Sequence, residues 1–165
     1  MATIRPATVA DCSAIADIYR HYVEHTVATF DYVAPTTQTW EEKLAAIHAA
    51  ERPFLVAELA DDVVGFAYLG AFRGKQAYAW TAEDTIYLHP AAGGQGIGSA
   101  LMVALLEAAD PANVRQIVAV IADPGGAASI ALHAKHGFTE VGRTPGVGYK
   151  FDRWIDCVYM QRPTV

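Results

Sequence analysis

The chain has 165 residues, of which 53% are hydrophobic and 18% are charged, a balance typical of one folded domain over residues 1–165. Its formal net charge of −6 argues against non-specific binding to nucleic acids, which requires a basic surface. No apolar run approaches the roughly 20 residues of a membrane span, and the N-terminus lacks the apolar region of a signal peptide. We therefore expect a cytoplasmic protein that has neither a nucleic acid nor a membrane as its partner.

The first third of the chain is predicted to contain one strand and two helices. Thr3–Pro6 is the strand, and Thr8 and Asp11 then have the spacing of a capping box before an amphipathic helix. Thr39 and Glu42 have the same kind of spacing at the start of the second helix, which ends ahead of a proline.

The middle of the chain is rich in β-branched and aromatic residues and is predicted to form three strands. Two runs, Phe54–Leu59 and Val63–Phe72, are joined by Asp61-Asp62, a natural hairpin turn. The third strand spans Tyr78–Leu88.

The last third of the chain alternates helices and strands. The predicted elements are a helix at Gly98–Ala109, a continuous apolar strand at Val114–Ile121, a helix at Ala127–His136, and two late strands at Phe138–Val141 and Ile155–Gln161, joined by a loop at Thr144–Arg153. Antiparallel strands come first and one β-α-β crossover follows, and this order predicts the α+β class.

A glycine-rich turn, GGQGIGS at Gly93–Ser99, connects the third strand of the middle region to an apolar helix. Such a turn directs several backbone N–H groups to one point beside the positive end of a helix dipole, an arrangement that binds a pyrophosphate. The turn is not a Walker loop, because no lysine follows Gly98, and its spacing differs from a dinucleotide-binding fingerprint. Taken alone, it is also compatible with a plain connection between a strand and a helix.

A second segment follows one strand later and has the sequence AASIALHAKHGF, at Ala127–Phe138. Together with the glycine turn, it resembles the acetyl-CoA-binding half of the GNAT N-acetyltransferases. Three further segments narrow the resemblance to the phosphinothricin and methionine sulfoximine N-acetyltransferases. They are AYAWTAEDTIY at Ala77–Tyr87, VAVI at Val118–Ile121 and VGYKFDRWID at Val147–Asp156. The resemblance extends over nearly the whole chain, from about residue 4 to residue 161.

The resemblance implies a GNAT-like mixed, mostly antiparallel seven-stranded sheet flanked by about four helices, in which two central parallel strands splay apart. The pantetheine arm of acetyl-CoA would lie between the strand that ends at Leu88 and the strand at Gln116–Ile121. The residues that the resemblance assigns to acetyl-CoA binding are Tyr87, Leu88, Gly93, Gly94, Gln95, Gly96, Ile97, Gly98, Ser99 and Ser129.

Two positions depart from the family pattern. Gly93 stands where the family usually has glutamine or arginine, and Gly126 stands where it often has an asparagine that contacts the pantetheine. Each exchange removes a side-chain contact. Because backbone N–H groups can still bind the phosphates, we expect acetyl-CoA binding to be weaker but retained.

Acyl transfer to an amine requires deprotonation of the amine and polarisation of the thioester carbonyl, and it needs no covalent nucleophile. Glu83 is the first candidate for the general base, because it lies on the strand before the glycine turn and matches the family's proposed catalytic glutamate. His133 is the second candidate, since an imidazole can take or give a proton near neutral pH. The alternatives are that Glu83 is a structural acid and that His133 is a core or helix-capping histidine. Which of the two residues is the base stays open.

The resemblance also implies an acceptor site, although Arg73 and Lys75 occur in the reverse of the order expected for the basic pair that holds an acidic substrate. We expect acetyl transfer to the α-amino group of a small amino-acid-like acid of the phosphinothricin, methionine sulfoximine or methionine sulfone type. The predicted acceptor residues are Phe30, Arg73, Lys75, Tyr78, Thr85, Tyr87 and Val120.

Two other functions remain as alternatives, namely a peptide or protein N-terminal acetyltransferase and a non-catalytic acyl-CoA-binding sensor. The two cysteines, Cys12 and Cys157, are isolated in the sequence, so no metal site is expected. A homodimer is expected by analogy with the family.

Overall fold

The computed structural model describes every residue from Met1 to Val165 and contains seven strands and four α-helices. The strands are β1 (Thr3–Pro6), β2 (Phe54–Leu59), β3 (Asp62–Ala71), β4 (Thr81–Leu88), β5 (Gln116–Asp123), β6 (Thr139–Lys150) and β7 (Arg153–Pro163). The helices are α1 (Cys12–His25), α2 (Thr37–Ala49), α3 (Ile97–Glu107) and α4 (Ala127–Lys135). The strands form one sheet in the order β1-β2-β3-β4-β5-β7-β6, and only β4 and β5 are parallel neighbours. This architecture confirms the predicted α+β class and the mostly antiparallel sheet.

Alternation of side chains along the strands divides the core into two layers, one on each face of the sheet. On one face, Phe54 and Phe66 pack with Trp40 of α2 and with the apolar stripe of α1. On the other face, Leu101 and Met102 of α3 pack against small and branched residues of the central strands. None of the helices combines the length and the apolar character needed to cross a membrane.

The two parallel strands separate soon after they meet. β4 and β5 pair only from Thr81, opposite Gln116, to Glu83, opposite Val118. Beyond this point β4 stays paired with β3 as far as Leu88, whereas β5 follows β7. The sheet is therefore split from Glu83 onward, which confirms the predicted splay and opens a wedge between the two strands.

The predicted loop at Thr144–Arg153 is wrong, because these residues belong to a long β6–β7 hairpin. Phe151 and Asp152 form its two-residue turn, and both have positive φ, as in hairpin turns whose twist matches that of the strands. Register shifts interrupt the pairing within the glycine-rich part of β6. Its side chains therefore do not keep a period of two, and the strand lacks the alternating pattern by which strands are predicted.

The two predicted capping boxes have different outcomes. The box of Thr8 and Asp11 is confirmed, and the backbone N–H of Thr8 donates to the Asp11 carboxylate at 2.7 Å. The box of Thr39 and Glu42 is wrong, because the N-cap of α2 is Thr36, whose hydroxyl accepts a hydrogen bond from the N–H of Thr39. α2 thus begins nearly one turn earlier than predicted.

Two boundaries on β3 and β4 also differ from the prediction. The turn between β2 and β3 lies at Ala60-Asp61, where both residues have positive φ, one residue before the predicted turn. β4 begins at Thr81 and not at residue 78, because Gln76–Tyr78 forms a short 3-10 helix.

Candidate active site

A cavity of about 350 Å³ fills the wedge between β4 and β5, and we call it the wedge cavity. β4 lines one side from Glu83 to Leu88, and β5 lines the other at Val120–Ala122. Backbone groups that do not pair across the wedge are free for a ligand, so the space suits an extended arm that carries amide groups, such as pantetheine. Residues at and near the two neighbouring helices complete the lining, among them Gly93, Gly98, Gly126, Ser129 and His133.

The glycine turn beside the wedge cavity has a backbone that its sequence permits. Gly94 and Gly96 have φ of 75° and 78°, in the left-handed region that glycine enters without steric cost. α3 then begins at Ile97 with Gly96 as its N-cap. The N–H groups of the first turn have no partner within the helix and lie at the positive end of its dipole. This is the arrangement expected of a phosphate site.

The predicted cofactor residues of this turn have different surroundings. Gly94, Gln95 and Gly96 are exposed and lie outside the lining of the wedge cavity, and the Gln95 side chain donates to the carbonyl of Ala91 at 3.3 Å. The side chain of Ile97 is buried in the core, so only its backbone is available to a ligand.

Ser99, another predicted cofactor residue, connects the start of α3 to the end of α4. Its hydroxyl lies 2.8 Å from His136 Nε2 and accepts a hydrogen bond from Lys135 Nζ at 3.2 Å. A cation therefore lies beside the first turn of α3, where it favours a bound phosphate. Lys135 was not among the predicted residues, because nothing in the order of residues shows that the end of α4 meets α3.

The carbonyl oxygen of Leu88 already has a protein partner. The Tyr22 hydroxyl donates a hydrogen bond to it at 2.5 Å. This carbonyl therefore has one partner before any ligand binds, and its second lone pair and the N–H of Leu88 are the groups left for the predicted contact with pantetheine. Tyr22 belongs to the apolar stripe of α1 in the sequence, and only the fold brings its hydroxyl to β4.

Glu83 lies where β4 and β5 separate, and it is half-buried. It lines the wedge cavity and two further cavities. Burial raises the pKa of Glu83 to about 7; the charge of Asp84 acts in the same direction, and the charge of Lys43 opposes it. Near neutral pH such a carboxyl is divided between its acid and carboxylate forms, as is favourable for a general base.

His133 is buried and pairs with Asp84. Its Nε2 lies 2.8 Å from Asp84 Oδ2, and its Nδ1 lies 2.7 Å from the carbonyl oxygen of Ser129. Because a carbonyl only accepts, Nδ1 is the donor there, and Nε2 donates to the Asp84 carboxylate when the ring is protonated. Burial lowers the pKa of His133, but the hydrogen bond and charge of Asp84 outweigh burial, so the pKa is raised above its ordinary value.

Both ring nitrogens of His133 therefore have protein partners, and neither is free for an acceptor amine. The structure brings His133 to the lining of the wedge cavity, but its geometry suits a residue that holds Asp84 and α4 in place. The catalytic role of His133 stays a prediction. Asp84 was not among the predicted residues; alternation along β4 places it on the face opposite to Glu83.

Two cavities meet at Glu83 on the face of the sheet that α1 and α2 cover. The α2 cavity, of about 370 Å³, lies between α2 and strands β3 and β4. The Phe30 cavity, of about 260 Å³, has a mostly aromatic and apolar lining that includes Phe30. Tyr68, Glu83 and Thr85 line both cavities, and the predicted acceptor residues Phe30, Thr85, Tyr87 and Val120 all line the Phe30 cavity.

The other predicted acceptor residues lie elsewhere. Arg73, Lys75 and Tyr78 line none of these three cavities. The Arg73 guanidinium instead stacks over the rings of Phe72 and Tyr78, 5.0 and 5.6 Å from their centroids. A role for this basic pair in acceptor binding stays a prediction that this arrangement does not support.

Hydrogen bonds and one close contact hold the segment at residues 28–30, which closes the Phe30 cavity. Lys150 Nζ donates to the carbonyl of Thr29 at 2.9 Å, and the Tyr87 hydroxyl donates to the carbonyl of Ala28 at 3.0 Å. The ring of Phe30 packs on Gly148, where a Cβ would overlap it. The glycine of β6 therefore makes room for one wall of the cavity.

Comparison with known proteins agrees with this site. The acetyltransferase (GNAT) domain family matches residues 4–159. The chain is 40% identical over 161 residues to the phosphinothricin N-acetyltransferase of Alcaligenes faecalis, and the match covers 98% of this chain and 82% of that protein. It is 39% identical over 162 residues to the L-methionine sulfoximine/L-methionine sulfone acetyltransferase of Salmonella typhimurium, over 96% of this chain and 92% of that protein.

A solved structure with a similar fold contains a ligand. A GNAT superfamily phosphinothricin acetyltransferase from Sinorhizobium meliloti, in complex with acetyl-CoA, has a TM-score of 0.93 and 39% identity, over 98% of this chain and 88% of that chain. The split parallel strands, the glycine turn and these matches define the class: the chain belongs to the GNAT acetyltransferases and is an N-acetyltransferase. Within this superfamily it lies close to the phosphinothricin and methionine sulfoximine N-acetyltransferases.

Gly126, where the resemblance implies a departure from the family pattern, is also a position of close approach. A Cβ here would overlap the carbonyl oxygen of Ala122 and the side chain of Ile121, and both residues line the wedge cavity. We expect Gly126→Ala to lower the free energy of unfolding by about 1–3 kcal/mol, as overpacking does, when measured by denaturant titration. Gly74→Ala is the control, because nothing lies within 4 Å of a Cβ there. Equal stability of the two variants would contradict the prediction.

Proposed function

We propose that this protein transfers an acetyl group from acetyl-CoA to the α-amino group of a small amino-acid-like acid of the phosphinothricin, methionine sulfoximine or methionine sulfone type. The position of Glu83 carries the proposal. This carboxyl, with a pKa of about 7, lies where the wedge cavity meets the α2 and Phe30 cavities. The names of the similar proteins support this class of acceptor.

The residues present fit the cofactor. Acetyl-CoA, when bound, supplies the acetyl group as a thioester. The unpaired backbone of β4 and β5 in the wedge cavity would hold the pantetheine arm. The turn at Gly93–Ser99 would hold the pyrophosphate through its N–H groups, with Lys135 as a nearby cation.

Glu83 would act as the general base and accept a proton from the acceptor's ammonium group, either directly or through a water molecule. Its pKa near 7 makes the carboxylate available near neutral pH while keeping it basic enough to take a proton. Cys157, which also lines the Phe30 cavity, is a poor nucleophile because burial raises the pKa of its thiol. Direct transfer to the amine, without a covalent intermediate on the protein, agrees with this environment.

A peptide acceptor is less compatible with the site. The Phe30 cavity has a volume of about 260 Å³, and its closing segment is fixed by the bonds from Lys150 and Tyr87. Volumes of this order suit a free amino-acid derivative better than a chain of several residues.

Release of free thiol from acetyl-CoA tests the proposal directly. We expect release with at least one of phosphinothricin, methionine sulfoximine and methionine sulfone, and little with peptides that have free N-termini. Turnover confined to the peptides would favour the N-terminal acetyltransferase. Binding of acetyl-CoA without turnover on any acceptor would favour the sensor.

Glu83→Gln is expected to lower kcat/KM for the acceptor by about 10²- to 10⁴-fold, the usual contribution of a general base. In the unmodified protein the base is protonated below its pKa, so kcat/KM should rise with pH through about 7, and the variant should lose this limb of the profile. Glu42→Gln, which removes an exposed carboxylate on α2, is the control. The assignment fails if Glu83→Gln keeps both the rate and the pH profile.

We also propose that the protein forms a homodimer. An exposed aromatic and apolar surface near the tip of the β6–β7 hairpin supports the proposal, because patches of this kind mark interaction sites. Tyr149 and Trp154 stack there with ring centroids 4.8 Å apart. The exposed residues of this surface are Tyr32, Val147, Tyr149, Phe151 and Trp154.

Sedimentation velocity measures the oligomeric state. We expect a dimer for the unmodified protein and a shift toward the monomer for Trp154→Arg, which places a charge in the proposed interface. Val9→Arg, at an exposed valine far from this hairpin in the sequence, should leave the dimer unchanged. A monomeric unmodified protein, or equal effects of the two variants, would refute the proposal.

A further inference from the structure

An amino-acid acceptor carries a carboxylate beside its amino group, and this carboxylate needs a cation near Glu83. Of the two cavities that meet at Glu83 on the α1–α2 face, the Phe30 cavity has no lysine or arginine in its lining. The α2 cavity has two cationic residues, Lys43 and Arg52. Lys43 and Arg52 are therefore the two candidate partners for this carboxylate.

Arg52 is already committed to the protein. Its guanidinium donates to the carbonyl oxygens of Gly70 and Ala79, both at 2.9 Å, and the residue is buried. These bonds join the start of β2 to the end of β3 and to the segment before β4. A third, longer bond runs from its Nε to Asn113 Oδ1 at 3.5 Å. Because all three guanidinium nitrogens have a protein partner and the residue is buried, we treat Arg52 as a structural cation.

Lys43 has no such commitment. It forms no ion pair with any carboxylate of the chain, and it is exposed to solvent on α2. Its Nζ lies 5.1 Å from the ring centroid of Trp40 and 5.5 Å from that of Tyr68, so it rests against two aromatic faces, and the residue lines the α2 cavity. The Tyr68 hydroxyl lies 3.4 Å from Nζ.

The location of the Lys43 ammonium and the Tyr68 hydroxyl relative to Glu83 defines a carboxylate site. Tyr68 and Glu83 line both the α2 cavity and the Phe30 cavity, so an acceptor whose amino group lies at Glu83 has a cation on one side. On the other side it has the aromatic lining of the Phe30 cavity. Lys43 and Glu83 line the same α2 cavity, so one small molecule in that cavity can reach both.

We propose that Lys43, together with the hydroxyl of Tyr68, binds the α-carboxylate of the acceptor in the α2 cavity, while the acceptor's side chain occupies the Phe30 cavity. This inference rests on the proposed function and extends it, because it states which ligand class the site selects: α-amino carboxylates over the corresponding amides and esters. It also gives the carboxylate a partner other than Arg73 and Lys75, which lie outside the cavities.

Steady-state kinetics with methionine sulfone and its carboxamide test the site. We expect Lys43→Met to raise KM for methionine sulfone about 10- to 100-fold, the value of a lost hydrogen bond to a charged group. KM for the carboxamide and for acetyl-CoA should stay within about twofold, because neither presents a carboxylate to this lysine. Lys43→Arg keeps the charge and should restore most of the preference for the acid. Arg20→Met, which removes an exposed cation paired with Asp17 on α1, should change none of these constants.

The results separate a failure of this site from a failure of the proposed function. If the unmodified protein acetylates methionine sulfone but Lys43→Met leaves KM unchanged, the inference is overturned and the function stands. The same holds if only the double variant Arg73→Met and Lys75→Met raises KM for the acid. If the unmodified protein acetylates no amino-acid acceptor while it releases thiol with peptides, the function and the site fail together.

Discussion

The loss of pairing between β4 and β5 after Glu83 is the constraint on which the rest of the site depends. Backbone N–H and C=O groups inside a protein must be hydrogen-bonded, and two neighbouring strands that separate leave such groups without their usual partners. The protein supplies one replacement itself, since the Tyr22 hydroxyl donates to the carbonyl of Leu88. The remaining wedge is bordered by backbone on both sides, which favours an extended ligand that carries its own amide groups.

The separation also creates two chemical environments on one strand. Glu83 and Asp84 are adjacent, but alternation along β4 turns them to opposite faces. Asp84 meets His133 of the helix α4, whose Nε2 lies 2.8 Å from its carboxylate. Glu83 faces the cavities with no cation in direct contact, so burial and the neighbouring charge raise its pKa. One carboxylate is thus held in the structure, while the other remains free to exchange a proton.

Individual residues show which parts of the site were accessible from the sequence. Glu83 and the glycine turn could be proposed from the sequence, because both lie in contiguous motifs whose chemistry depends on local order, and the structure places Glu83 where three cavities meet. Arg73 and Lys75 were placed with the acceptor, yet the Arg73 guanidinium stacks on aromatic rings outside the cavities. The contacts of Asp84 with His133 and of Lys135 with Ser99 could not be predicted, because each joins residues that are distant in the sequence. The long β6–β7 hairpin was missed for a different reason, namely that its register shifts remove the alternation that marks a strand.

The sequence by itself determined the class of the protein: the α+β order of elements, the glycine turn and the acid before it are all properties of short stretches of chain. The tertiary structure decided how these parts cooperate. It set where the parallel strands separate, which side chains line the three cavities that meet at Glu83, and that both nitrogens of His133 are occupied. Local sequence encodes backbone conformation and capping, whereas cavities, pKa shifts and charge partners arise only when segments far apart in the chain are packed together.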